Sequence, residues 1–162
     1  MTTIDDVTIR LARHNDIEQL VEMRREFTFE DFEQGAAATL PAYETDCQAF
    51  LSEAITSGRW HIWIAEMGGQ IVSHAFLALI DKVPRPVREH ARIGYLTNVY
   101  TRPTFRGQGI GAEVIRQAQA AAREANVELI IVWPSDESTA FYERGGFRKP
   151  DEPLIWAPAK RH

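Results

Sequence analysis

Hydrophobic and polar positions along the 162-residue chain change period several times, and each change marks an element. "VTIRLA" (7–12) alternates with the period of two that a strand requires. Asp16 then stands where a helix N-cap is expected, and Ile17, Leu20, Val21, Met23 and Phe27 recur as one helical face. "FTFEDFEQGAAATLP" (27–41) keeps no period and reads as a helix end, a loop or a second short helical piece. Tyr43, Cys47, Phe50, Leu51 and Ala54 share the next helical face over 43–57, and Gly58 suits the position just past its end.

"WHIWIAEMGGQIVSHAFLALI" (60–80) is a hairpin pattern: two β-rich runs flank Gly68-Gly69, a pair able to take the positive φ angles of a two-residue turn. Two prolines make "DKVPRPVREHAR" (81–92) a loop. "IGYLTNVYT" (93–101) is a strand that Pro103 ends. A helix follows over about 110–125, with Val114, Ala118, Ala121 and Ala125 on one stripe. "VELIIVW" (127–133) is nearly all apolar, the pattern of a buried strand. "SDESTAFYERGG" (135–146) reads as a short helix closed by two glycines, and "FRKPDEPLIWAP" (147–158) as one or two final strands. The order β-α-α-β-β-β-α-β-α-β predicts a mixed α/β fold in which antiparallel hairpins adjoin one strand–helix–strand crossover.

Composition narrows the function classes. Apolar residues make up 44% and charged residues 25% of the chain, ordinary for a globular protein, and a net charge of −5 argues against nucleic acid as a partner. No apolar run approaches the length of a membrane span. The acidic start "MTTIDDVTIR" is not a signal peptide, and the lone Cys47 excludes an internal disulfide. The expectation is one cytoplasmic domain over residues 1–162. No His/Cys/Asp cluster has the spacing of metal ligands.

The candidate chemistry centres on "FRGQGIG" (105–111), at the start of the crossover helix. A helix N-terminus offers unpaired amides and partial positive charge, and glycines beside it remove the side chains that would block an anion. A P-loop needs Lys-Ser/Thr after its last glycine, but Gly111 is followed by Ala112-Glu113. Gly107, Gly109 and Ala112 match a dinucleotide fingerprint literally, yet too little chain follows for a second half of that fold.

The run more closely resembles the signature of the GCN5-related N-acetyltransferase (GNAT) superfamily: Arg106, Gly109 and Gly111 fill its Arg-x-x-Gly-x-Gly pattern. Pro103 stands three residues before the arginine, and "YERGGF" (142–147) follows after a helix and a strand, as it does in that family. The resemblance implies a twisted mixed sheet of six to seven strands, with helices on both faces and a splayed central pair of parallel strands. It implies that acetyl-CoA lies in the splay. The pyrophosphate would rest on the amides of Arg106, Gly107, Gln108, Gly109, Ile110 and Gly111, and the pantetheine arm would pair with the backbone of Val99, Tyr100 and Thr101. Ser135 occupies a position where the family often carries a cofactor-binding Asn.

The implied reaction moves an acetyl group from the thioester to a small-molecule or peptide amine. A neutral amine must attack, a donor such as the Val99 N–H must meet the oxyanion, and Tyr142 would be the general acid for the CoA thiolate. Asn98 would orient the amine or a water. His74, Glu26, Glu30 and Glu44 are candidate bases. The acidic and aromatic run 25–34 tilts the expectation towards a cationic or polar amine. A non-catalytic CoA-binding domain, or transfer to oxygen or of another acyl group, is the alternative, and the family resemblance adds a homodimer to the expectations.

Overall fold

The computed structural model describes residues 3–31, 40–151 and 153–158. Five strands, β1 (Thr8–Leu11), β2 (Trp60–Met67), β3 (Gln70–Asp81), β4 (Arg92–Thr101) and β5 (Val127–Val132), form one sheet in chain order. The first three pairings are antiparallel and β4–β5 is parallel. Four α-helices accompany them: α1 (Ile17–Asp31), α2 (Tyr43–Ser57), α3 (Ile110–Glu124) and α4 (Thr139–Arg144).

Alternation along the strands builds two cores, one on each face. Leu20, Met23, Leu51, Ile62, Ile64 and Phe76 pack α1 and α2 against one face. Ala65, Leu77, Leu96, Ile110, Val114 and Tyr142 pack α3 and α4 against the other. The predicted mixed sheet with helices on both faces is therefore the observed fold. The hairpin turn is as read, with φ of 57° and 81° at Gly68 and Gly69.

Three expectations change. The chain has five strands among the described residues, not six to seven, because 147–151 and 153–158 hold no strand. Pro150, Pro153 and Pro158 withhold ladder donors there, and Leu154 and Trp156 lie 99% and 85% exposed, away from either core. In consequence β5 is an edge strand with no fully buried residue, not the buried strand its composition implied. Asp16 also differs from its expected role. It ends a 3₁₀ turn (His14–Asp16), and its carboxylate turns back to accept the Arg13 amide at 2.6 Å.

That carboxylate fixes α1 to the sheet. Arg10 on β1 donates to both Asp16 oxygens, at 2.8 and 2.9 Å, and reaches Glu66 on β2 at 2.6 Å. Burial works to raise the Asp16 pKa, but the bonds from Arg10 and the Arg13 amide prevail and hold it below the usual carboxylate range. Replacing Asp16 with Ala strands the Arg10 guanidinium and the Arg13 amide. Asp16→Ala is expected to lose about 2–4 kcal/mol of unfolding free energy by urea titration at pH 7; a loss under about 0.5 kcal/mol would refute this role for the pair.

Candidate functional site

The parallel pairing of β4 with β5 begins at Arg92↔Val127 and stops at Leu96↔Val132. Beyond it β5 ends and Trp133-Pro134 lead away, whereas β4 continues to Thr101. The stretch Thr97–Thr101 thus keeps β3 on one side and has no strand on the other. A slot opens there, with a strand edge along one wall.

Within that stretch β4 carries a bulge. His74 pairs with Tyr100 and Phe76 with Thr97, so β4 spends one residue more than β3 between the two pairs. Asn98 takes the extra position with φ of 49°, a left-handed conformation that Asn tolerates better than most residues. Its side-chain oxygen accepts from Arg24 on α1 at 3.1 Å, and its backbone oxygen meets Nδ1 of His74 at 2.8 Å.

β4 runs directly into the glycine loop. A 3₁₀ turn (Pro103–Phe105) closes with the Arg106 amide donating to the Pro103 oxygen at 3.3 Å. Gly107 and Gly109 follow with φ of 73° and 79°, and a Cβ at Gly107 would meet no neighbour, so the surface above the loop is bare backbone. No side chain caps α3, whose first helical bond runs from the Glu113 amide to Gly109; the amides of Ile110 to Ala112 precede any helical acceptor. Ile110 itself is buried and anchors the helix. A Cβ on Gly111 would come within 3.0 Å of Thr101 Oγ1, so this glycine lets α3 sit against the end of β4. Gln108 is exposed and bonds Thr104. The cradle suits a multiply charged oxyanion such as a pyrophosphate.

Arg106 braces the cradle. Its Nε donates to the Thr101 oxygen at 2.8 Å, its two terminal nitrogens donate to both oxygens of Glu30 on α1 at 2.6 and 2.8 Å, and its guanidinium lies over the Tyr100 ring. Arg102 pairs with Glu26 one turn earlier on α1. Thr101 is tied by its hydroxyl to Ser73 at 2.8 Å.

Known proteins share this fold. Residues 58–149, more than half of the chain, match the model of the acetyltransferase (GNAT) domain. The chain belongs to the GNAT acetyltransferase family. Among its relatives is a glucosamine 6-phosphate N-acetyltransferase of Trypanosoma brucei brucei, 32% identical over 80 residues, which are 49% of this chain and 52% of that one. The chain spans about half the length of that curated relative. In structure it resembles an acetyltransferase of Clostridium acetobutylicum solved with acetyl-CoA (TM-score 0.76, 28% identity, 93% and 96% of the two chains). It also resembles a GCN5-related N-acetyltransferase of Ralstonia eutropha (TM-score 0.72, 25% identity, 93% and 98%).

In this GNAT fold the other residues singled out from sequence lie on α4, on β4 and in the turn after β5. Tyr142 on α4 is buried between the rings of Phe141 and Phe147, and burial pushes its phenol up to about 12. Val99 is half-buried in the α3 core, while the Tyr100 ring turns to the opposite core beside Phe27. Ser135, just past β5, donates its hydroxyl to Ser138 at 3.0 Å and starts the turn that leads into α4. Among the described residues no helix is long and apolar enough to cross a membrane, and no cluster of His, Cys, Asp and Glu would hold a metal.

The candidate bases fare differently from the cradle. Glu30 is held below the usual carboxylate range, chiefly by its hydrogen bond from Arg106, and Glu26 is paired with Arg102. His74 is wholly buried, and desolvation brings its pKa down to about 4, so it stays neutral in the fold. The role of His74 as a holder of the bulge, and the α1 arginine that meets Asn98, have no sequence signal, because the contacts span 24 and 74 positions.

A histidine with a depressed folded pKa binds its proton more readily unfolded. Its contribution is present above the ordinary value of 6.5 and is lost as pH falls towards 4. Between pH 7 and pH 5 this one group is expected to cost about 2 kcal/mol of stability. Paired urea titrations at those pH values should show that loss in the unaltered protein and not in His74→Leu; equal losses in both would refute it.

Proposed function

We propose that residues 1–162 act as one acetyl-CoA-dependent N-acetyltransferase domain that acetylates a primary amine by direct attack in a ternary complex. The observation that carries this reading is the end of β4–β5 pairing at Leu96↔Val132, beside a strand edge that leads straight into an uncapped glycine cradle. The backbone of Val99 to Thr101 suits a pantetheine arm added like a strand, and the amides of Gly107 to Gly111 suit the pyrophosphate. The Arg106 amide is engaged by Pro103 in the preceding turn and its side chain by Thr101 on β4 and Glu30 on α1, so Arg106 shapes the cradle.

Bound acetyl-CoA supplies an activated acetyl thioester. The Val99 N–H donates to the carbonyl oxygen as it gains charge. Tyr142 donates its phenolic hydrogen to the departing sulfur, and its raised pKa keeps that hydrogen in place across the whole neutral range. Asn98, fixed by Arg24, orients the incoming amine; as the C–N bond forms and the C–S bond breaks, the surplus proton of the amine passes to water, and the Tyr142 phenolate regains a proton from solvent.

Of the acidic run 25–34, Glu26 and Glu30 already hold Arg102 and Arg106, and 32–34 lie outside the described residues. Arg24, exposed beside Asn98, instead favours an amine that also carries an anionic group. An amino-sugar phosphate of the kind named for the trypanosomal relative is the first acceptor to test.

Thiol release from acetyl-CoA over a panel of amino-sugar phosphates, amino acids, peptide N-termini and polyamines tests the reading. Turnover on at least one amine is expected. CoA binding with no turnover on any acceptor, oxygen nucleophiles included, would leave a non-catalytic binding domain. Tyr142→Phe should lower kcat by about 10²-fold while changing the KM for acetyl-CoA less than about threefold; an unchanged kcat would remove Tyr142 from the reaction. Gly109→Val places a side chain at a φ of 79° in the cradle. It should weaken CoA binding by at least about tenfold in calorimetry, and undiminished affinity would relocate the pyrophosphate.

A further inference from the structure

His74 is the one fully buried ionisable side chain among the described residues that the chemistry above does not use. It sits on β3 between the rings of Phe76 and Tyr100, with centroids 5.3 and 5.9 Å away. Its Nδ1 lies 2.8 Å from the backbone oxygen of Asn98. A carbonyl only accepts, so Nδ1 carries the hydrogen and donates it. Nε2 is then a bare acceptor, and it is buried with no partner. An aliphatic side chain would fill this space without stranding a nitrogen, so packing alone does not account for a histidine here.

The bond it makes falls on the bulge. Asn98 is the residue at φ 49°, where β4 spends its extra residue. Its carbonyl shares a planar trans peptide unit with the Val99 N–H, and the two groups point in opposite directions. Gripping the oxygen from the β3 side therefore sets the direction of the N–H and holds it away from His74.

We propose that His74 is a positioning residue for acetyl transfer: its Nδ1–H holds the Asn98 carbonyl so that the Val99 N–H faces the slot as the oxyanion donor. The proposal rests on the acetyltransferase reading above. It names a residue outside the slot that acts only through the backbone. The neighbouring charges, Arg24 and Arg102, both disfavour protonation of the ring, which preserves the neutral donor form.

Three substitutions separate this role from simple packing. His74→Asn places an amide nitrogen close to the Nδ1 position, His74→Gln extends its amide past that position, and His74→Leu removes the donor. With acetyl-CoA and the best amine of the panel, His74→Leu and His74→Gln should lower kcat about 10- to 100-fold. The KM for acetyl-CoA and the affinity for CoA should stay within about threefold, and His74→Asn should retain kcat within about threefold. A His74→Leu kcat within twofold of the unaltered enzyme overturns the proposal, as does equal impairment of the Asn and Leu variants.

A second readout stands apart from activity. Nitrogen-15 NMR of the full chain should show the His74 ring protonated at Nδ1. The Val99 amide resonance should shift in His74→Leu and return in His74→Asn. A ring protonated at Nε2, or a Val99 amide indifferent to the Leu substitution, overturns the latch whether or not turnover is found. Absence of turnover together with the expected NMR result supports the latch and overturns only the catalytic reading.

Discussion

Everything at the site depends on where two parallel strands stop pairing. Five registered pairs join β4 to β5, and beyond Leu96↔Val132 the ladder ends while β4 runs on for five residues. An edge strand with unpaired backbone groups is ordinarily a hazard, and natural sheets cover or bend it. Here the exposed stretch is short, carries a bulge, and ends in a glycine loop that opens a helix. Strand edge and helix N-terminus thus join into one continuous line of unpaired backbone groups, donors and acceptors along the strand and donors at the helix. A long ligand with an amide-bearing arm and a pyrophosphate matches that line. The C. acetobutylicum acetyltransferase that this fold resembles was solved with such a molecule, acetyl-CoA.

The slot is held open from the α1 side. Arg10 ties α1 to β1 and β2 through Asp16 and Glu66, and the far end of α1 presents Arg24, Glu26 and Glu30 to the end of β4. Each reaches a different point: Asn98 in the bulge, Arg102 at the strand end, and Arg106 at the loop. Charge-assisted bonds with fixed fork geometry orient as well as attract, so the helix sets the shape of the backbone more than it contributes stability. Glu26 and Glu30 are matched internally, and Arg24 stands exposed beside the Asn98 amide.

Local sequence determined a great deal of this protein. Periodicity located the two long N-terminal helices, the hairpin around Gly68-Gly69, the crossover helix and the strand on either side of it, because hydrophobic spacing and the preferences of glycine and proline act over a few residues. The loop motif at 106–111 and the "YERGGF" run pointed to the family for the same reason: each is a run of adjacent positions that can be read without knowing distant partners. Tertiary structure decided what depends on distant partners. Whether β5 was central or at the edge turned on 147–151 and 153–158, which hold no strand and where prolines outweigh apolar residues. The bulge at Asn98, the grip of His74 on its carbonyl and the pairing of Arg106 with Glu30 join residues 24 to 76 positions apart, and no local pattern encodes such contacts. The sequence by itself thus determined the elements and the family, and the packed fold alone decided the direction in which each group of the site points.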